Sequence, residues 1–326
     1  MVAYALRRVL LLLPTLLGMA IVTFFLLHLI PGDPARMLLG PDASAEAVRQ
    51  MRVNLGLDLS LHEQLARYLL GLLHGDLGRS VFESQTVAAL IWDRLGATLE
   101  LAVAAMLIAL VLGIGLGVIA AVRRGGVADV LAMLLAQLGV SMPVYWLGIM
   151  LVLGFAIELN WLPAIGRGPA LTDAIAALFA GDTAPLASAL QHIALPAFAL
   201  GIGAAAIISR VVRASLLETL SADFIRTGYA KGLRPARVVL LHALANAMLP
   251  IISIVGLRFG SLLGGAVLTE TIFSWPGLGQ LVVTAILQRD IPLVQGVVLV
   301  FAFLYALTNL LVDILYMVID PRVRLA

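Results

Sequence analysis

Apolar residues in this chain follow neither the two-residue rhythm of a strand nor the amphipathic rhythm of a soluble helix; they run on unbroken between shorter polar stretches. A helix needs about 20 apolar residues to cross the hydrocarbon of a bilayer. Runs of that order recur at 9–30, 97–121, 131–157, 193–212, 247–269 and 292–318, which predicts an all-α membrane protein with six transmembrane helices. Composition agrees: 62% of the residues are hydrophobic, 12% are charged and the mean hydropathy is +1.06, more apolar surface than a soluble domain of 326 residues can bury. Arg7 and Arg8 precede the first run in the manner of a secretory signal. The run is too long for one and no small-residue cleavage site follows, so it reads as a retained span.

Arg and Lys in short connections resist translocation and therefore set direction. An N-terminus in the cytoplasm puts Arg7, Arg8, Arg123, Arg124, Arg210, Arg213, Arg226, Lys231, Arg234, Arg237, Arg322 and Arg324 inside, against Arg167 and Arg289 in the short outer connections. Both termini are then cytoplasmic. The segment 31–96 carries both signs and is long enough to cross regardless. A net charge of +2 gives no case for nucleic acid. With no cysteine, and with His28, His62, His74, His192 and His242 scattered, no metal site is expected.

Three regions follow: an N-terminal helix at 1–30, an outer segment at 31–96 and a five-helix body at 97–326. In the outer segment, Pro31-Gly-Asp-Pro34 should stop the first helix. Ser44 is placed to cap a short helix with Glu46 in its first turn, and Ser60-Leu-His-Glu63 reads as a capping box. This predicts a small helical insertion on the outer membrane surface; a docking surface for an external partner is compatible with the same residues.

The inner loop 213–246 is the most informative stretch. Leu217, Leu220, Phe224 and Tyr229 recur at near-helical spacing among charges, and Gly232-Leu-Arg-Pro235 then breaks the pattern. Glycine suits a helix end and proline the first turn of the next helix, so two short helices joined by a tight elbow are expected, with Val238, Leu241 and Leu244 leading toward the fifth span. Residues alone leave two readings open, an interfacial helix on anionic lipid or a knob shaped for a partner.

The same stretch, Asp223-Phe-Ile-Arg-Thr-Gly-Tyr-Ala-Lys-Gly-Leu233 with His242-Ala-Leu-Ala-Asn-Ala-Met-Leu-Pro250, resembles the cytoplasmic motif of binding-protein-dependent ABC importer permeases. The version is that of the dipeptide, oligopeptide, glutathione and nickel systems, the dipeptide branch above all. Arg7-Arg8, Pro31-Gly-Asp-Pro34, Gly75-Asp-Leu-Gly-Arg-Ser80, Ala97-Thr-Leu-Glu-Leu-Ala102, Gly139-Val-Ser-Met-Pro143, Glu270-Thr-Ile-Phe-Ser-Trp-Pro-Gly-Leu-Gly279 and Asp320-Pro-Arg322 extend the resemblance in order along the whole chain. It implies the type I ABC importer permease fold in a bacterial inner membrane. It also implies a second homologous permease, two ABC ATPases and a periplasmic or lipid-anchored substrate-binding protein. Asp223, Arg226, Thr227, Ala230, Lys231, Gly232 and Leu233 would form the coupling helix and its elbow. Two departures stand out: Arg226-Thr-Gly228 replaces the Glu-Ala-Ala opening of the broader motif, and Gly228-Tyr229 replaces Ala-Arg. The ion pair made by the usual glutamate therefore does not transfer.

No Gly-x-x-x-x-Gly-Lys-Ser/Thr loop occurs, so ATP and Mg are expected in the partner ATPase and no cofactor in this subunit. No nucleophile, base and orienter fall into a catalytic spacing, so a non-catalytic subunit is expected. Gly256, Gly260 and Gly264 make a smooth face on the fifth span, as Gly113 and Gly117 do on the second, serving helix packing or a subunit interface along the pathway. Arg258 should face protein or water. Glu270 would bind a peptide amino group or cap a helix, and Trp275-Pro-Gly277 would form a re-entrant or surface turn. Short peptides are the expected solute, with nickel chelates or glutathione as alternatives on the same machinery. An ion-coupled secondary transporter is the other class; it would need mid-span acidic or histidine relays, whereas Glu158, Glu270 and Asp313 lie at span ends.

Overall fold

The computed structural model describes residues 2–28, 33–40 and 42–319; the proposed stop at Pro31-Gly32 and the ending Asp320-Pro-Arg322 lie outside them. The regular secondary structure of the described residues is helical apart from one isolated bridge between Arg79 and Thr86. In chain order the helices are α1 (Val2–His28), α2 (Pro34–Leu39), α3 (Ala45–Asn54), α4 (Leu61–Leu73), α5 (Val87–Val122), α6 (Val127–Ser141), α7 (Val144–Leu151), α8 (Leu171–Phe179), α9 (Ala184–Leu220), α10 (Asp223–Ala230), α11 (Pro235–Arg237), α12 (Leu244–Asn246), α13 (Met248–Ile272), α14 (Leu278–Gln288) and α15 (Ile291–Ile319). π-helical turns follow α7 at Val152–Glu158 and α11 at Val238–Ala243. Two compact units divide the described residues, one holding those within 97–276 and 305–319, the other those within 2–96 and 277–304.

Among the described residues four helices are long and apolar enough to cross a membrane: α5, α9, α13 and the Ile291–Leu315 stretch of α15. A bent helix pair is apolar enough to make a fifth span or a re-entrant loop. α6 and the α7–π segment bend by 103° at Met142-Pro143, so the run expected as a span at 131–157 is two helical pieces rather than one helix. Pro143 has no N–H to give the ladder, and its ring drives Met142 into an extended conformation, φ −77° and ψ 124°. α1 contributes an apolar stretch at Leu10–Phe25.

In the first unit α9 is the central element, buried along one flank from Ala189 to Leu216. Small residues let its neighbours approach closely. A Cβ on Gly113 of α5 would sit 2.8 Å from the Ala205 carbonyl oxygen, one on Gly117 2.6 Å from Val212 Cβ, and one on Gly201 of α9 2.5 Å from the Ala105 carbonyl oxygen. Larger residues there would push the helices apart, because lipid offers no hydrophobic gain to offset lost contact. α9 also runs beyond its expected span at both ends, so Leu217 and Leu220, expected in the first short helix of the inner loop, close α9 instead, and Ser221-Ala222 separates them from Phe224 and Tyr229.

The second unit carries the outer-segment helices. Ser44 accepts from Ala47 N, and at Ser60 the expected box is formed, with Ser60 N donating to Glu63 Oε2 at 3.1 Å. That box holds the Glu63 carboxyl below the usual carboxylate range, through the Ser60 side chain first and its backbone N–H second. Phe24 of α1 stacks on Tyr68 of α4 with ring centroids 5.8 Å apart, and burial pushes the Tyr68 phenol up to about 12. Asp290 is buried before α15; it accepts from Ser80 Oγ, Val81 N at 3.1 Å and Leu293 N at 3.2 Å, which pins the Gly75–Ser80 motif.

Candidate coupling elbow and outer hub

Both polar sites of the first unit arise from breaks in helices. On the expected inner side, α9 ends at Leu220, Ser221 and Ala222 form a short turn, and α10 begins with Asp223 in its first turn. Ile225 is buried beneath it with Leu216, Ala121, Val238, Val239 and Ala243, so one face of α10 is rooted in the membrane body. The opposite face is exposed: Asp223, Phe224, Arg226, Thr227, Tyr229, Ala230, Lys231 and Gly232. Lys231 N donates to Thr227 O at 3.0 Å and Gly232 N to Tyr229 O at 2.9 Å; Gly232 then turns the chain with φ +77°. That region costs a residue with a Cβ about 1–2 kcal/mol, and the fixed φ of Pro235 starts α11. Leu233 departs from the exposed set, being partly buried against the same core. Asp223 and Arg226 pair with each other at 3.5 Å on the surface, an interaction of little weight in water.

At the expected outer end, distant motifs converge. Trp275 is 1% exposed, and its Nε1 donates to the Ala97 carbonyl at 2.9 Å. Glu270 is 0% exposed and accepts from Thr98 Oγ1 at 2.7 Å. Glu100 accepts from Leu171 N at 2.9 Å and pairs with Arg167, whose guanidinium lies 5.8 Å from the Trp275 ring centroid. Gly166 N donates to Phe273 O at 2.8 Å, tying in the loop after the π turn. Trp275-Pro-Gly277 is thus no surface turn, and Glu270 sits inside the protein rather than facing a solute or capping a helix in water. Burying a carboxylate is costly unless it is hydrogen-bonded, so this geometry reads as a fastening. Sequence reasoning missed Thr98 and Glu100 and used Arg167 only for orientation. The signal was there in part, as the Ala97-Thr-Leu-Glu-Leu-Ala102 motif.

The glycine face on α13 divides in two. A Cβ on Gly256 would meet Val312 Cγ2 at 2.1 Å and one on Gly260 would meet Tyr305 Cδ2 at 2.8 Å, so both serve the approach of α15, while Gly264 faces open space. Arg258 is half-buried, and its Nε has no hydrogen-bond partner among the described residues.

The family model described as binding-protein-dependent transport system inner membrane component matches residues 113–325, and the model for the N-terminal part of such membrane components matches 1–102. The chain belongs to this family. It is a multi-pass permease of the inner membrane, in a family whose transport depends on a binding protein. Curated relatives include the dipeptide transport system permease protein of Alkalihalophilus pseudofirmus, 44% identical over 99% of this chain and 100% of that one. The dipeptide permease protein of Escherichia coli strain K12 is 43% identical over 99% of each chain. The glutathione transport system permease protein of Salmonella paratyphi A is 41% identical over 99% of each. Among solved structures, the MetNI methionine ABC transporter in inward-facing form matches with a TM-score of 0.57 and 18% identity, covering 72% of this permease and 97% of that chain. It shares the fold.

Proposed function

We propose that this permease is one of two homologous membrane subunits of an ATP-driven importer for short peptides. Full-length identity of 43–44% to dipeptide permeases carries the substrate class. The elbow, exposed on one face and rooted in the core on the other, supports the coupling role. The chain crosses the membrane six times: α1, α5, the bent α6–α7 pair, α9, α13 and α15. Both termini lie in the cytoplasm and α2–α4 form the periplasmic insertion. This subunit catalyses nothing; two ATPases bind and hydrolyse MgATP, and an external binding protein delivers the solute.

In this reading Asp223, Arg226, Thr227, Ala230, Lys231 and Gly232 face a groove on the ATPase, and Leu233 anchors the elbow from behind. Nucleotide binding closes the ATPases, moves the two elbows and switches access to a cavity between the permeases, toward which Gly264 and Arg258 are placed. Glutathione is the second reading, favoured by the 41% identity to its permease.

The test is the reconstituted complex. Deleting 223–233 should abolish capture of the ATPase while leaving the permease in the membrane, and uptake of labelled dipeptide should require ATP and the binding protein. Undiminished capture after the deletion, or uptake that follows a proton gradient at constant ATP, would remove the reading. Competition between dipeptides and glutathione at the binding protein separates the two solutes.

A further inference from the structure

Asp129 and Arg213 form a joint that neither polar site uses. Arg213 lies on α9 two turns before its end. Its Nε donates to Asp129 Oδ1 at 2.7 Å and its Nη2 to Oδ2 at 2.8 Å, a planar two-point grip on the first turn of α6. Oδ2 also accepts from Gly125 N at 3.0 Å, which locks the turn entering α6 to the same carboxylate. The Asp129 side chain is 7% exposed and that of Arg213 30%. Three residues beyond Arg213, Leu216 is buried in the cluster that holds Ile225 of α10. One short stretch of α9 thus grips α6 by charge and α10 by packing.

The two grips differ in kind. Apolar packing resists separation but has no direction, so it permits sliding and rotation. Two parallel N–H···O bonds fix distance and angle together. Further along, α6 follows α9 through small residues: a Cβ on Gly139 would stand 3.2 Å from the Ile202 carbonyl oxygen and 3.3 Å from Ala206 Cβ, and such a face offers little against sliding.

We propose that Asp129 and Arg213 are positioning residues for transport: their ion pair makes the bent α6–α7 span move with the coupling elbow. Without the pair, displacement of α10 still drags the end of α9 but leaves α6 behind, so nucleotide is consumed with little solute moved. The inference rests on α10 being the ATPase-docking element.

The experiment uses the full complex in proteoliposomes and measures ATP hydrolysed per labelled peptide imported. Asp129→Asn should keep ATPase capture and raise that ratio about tenfold, within the range of ordinary coupling between sites. The exchanged pair, Asp129→Arg with Arg213→Asp, restores the ion pair but not the acceptor for Gly125 N, since a guanidinium has none, and should bring the ratio part of the way back toward the wild type. Should Asp129→Asn fail to accumulate, Arg213→Lys carries the same test, since it keeps the charge and loses the planar fork. Because the chain has no cysteine, spin labels at Val127→Cys and Ser221→Cys report the distance directly. It should stay constant through the nucleotide cycle in the wild type and change in the single variants. A ratio that stays at the wild-type value in both single variants, or an exchanged pair that accumulates yet remains uncoupled, would overturn the inference. If instead the complex captures its ATPase without 223–233, the coupling reading itself fails, a separate outcome.

Discussion

The coupling elbow and the outer hub are both polar interruptions in an apolar body, yet they are built in opposite ways. In the elbow the polar side chains face outward and the geometry is set by local backbone demands: φ +77° at Gly232 and the fixed φ of Pro235. In the hub the polar groups face inward and are satisfied by partners far along the chain, Thr98 by Glu270 and Ala97 by Trp275. Exposed polar groups are free to meet water or a partner, whereas buried and satisfied ones hold the chain to itself. The contrast shows fastening at the hub, and under the proposed function it leaves recognition to the elbow.

Breaking the hub should therefore cost stability and breaking the elbow should cost coupling. The largest effect is expected for Trp275→Ala, which empties a buried indole site and removes its hydrogen bond, about 3–5 kcal/mol, read as a large drop in thermal unfolding temperature in detergent. Thr98→Val leaves buried Glu270 without that donor and should cost about 1–3 kcal/mol. Both hub variants that still fold should capture the ATPase as the wild type does; lost capture at full stability would erase the distinction. Gly256→Ala, forced against Val312, should cost about 1–3 kcal/mol, whereas Gly264→Ala, facing open space, should stay within about 0.5 kcal/mol. Gly232→Val should cost about 1–2 kcal/mol of local strain and weaken capture out of proportion to its effect on unfolding.

The smallest effect concerns pH. The Glu63 carboxyl is held below its ordinary value in the folded chain, so its contribution is present above the ordinary carboxylate range and lost as pH falls through the lowered value. Glu63→Gln should flatten that acid-side dependence of α4 protection in hydrogen exchange by lowering protection at neutral pH, where the carboxylate contribution is present, toward its acid value.

How far the sequence could be read follows the same division. The elbow was legible because glycine and proline state their conformational demands locally. The spans 247–269 and 292–318 emerge as Met248–Ile272 and Ile291–Ile319, since long apolar runs carry their own signal. The break at Met142-Pro143 was also written in the chain, but the apolar run through it outweighed the proline. The hub was not legible. Thr98 and Glu270 are 172 positions apart and Arg167 and Glu100 are 67 apart, so nothing in local composition shows that they meet. Glu270 read alone looks like a residue awaiting a ligand, and only the fold shows that it has a partner. Asp129 and Arg213, 84 positions apart, were hidden for the same reason.

The central claim is that the face of α10 ending at Lys231 lies inside the cell against an ATPase. A chain free of cysteine allows it to be tested with Lys231→Cys and a membrane-impermeant maleimide. Labelling should occur in inverted vesicles stripped of ATPase, fail in right-side-out vesicles and be suppressed when the ATPase is added back. Labelling from the outside, or labelling that the ATPase leaves unchanged, would contradict the account.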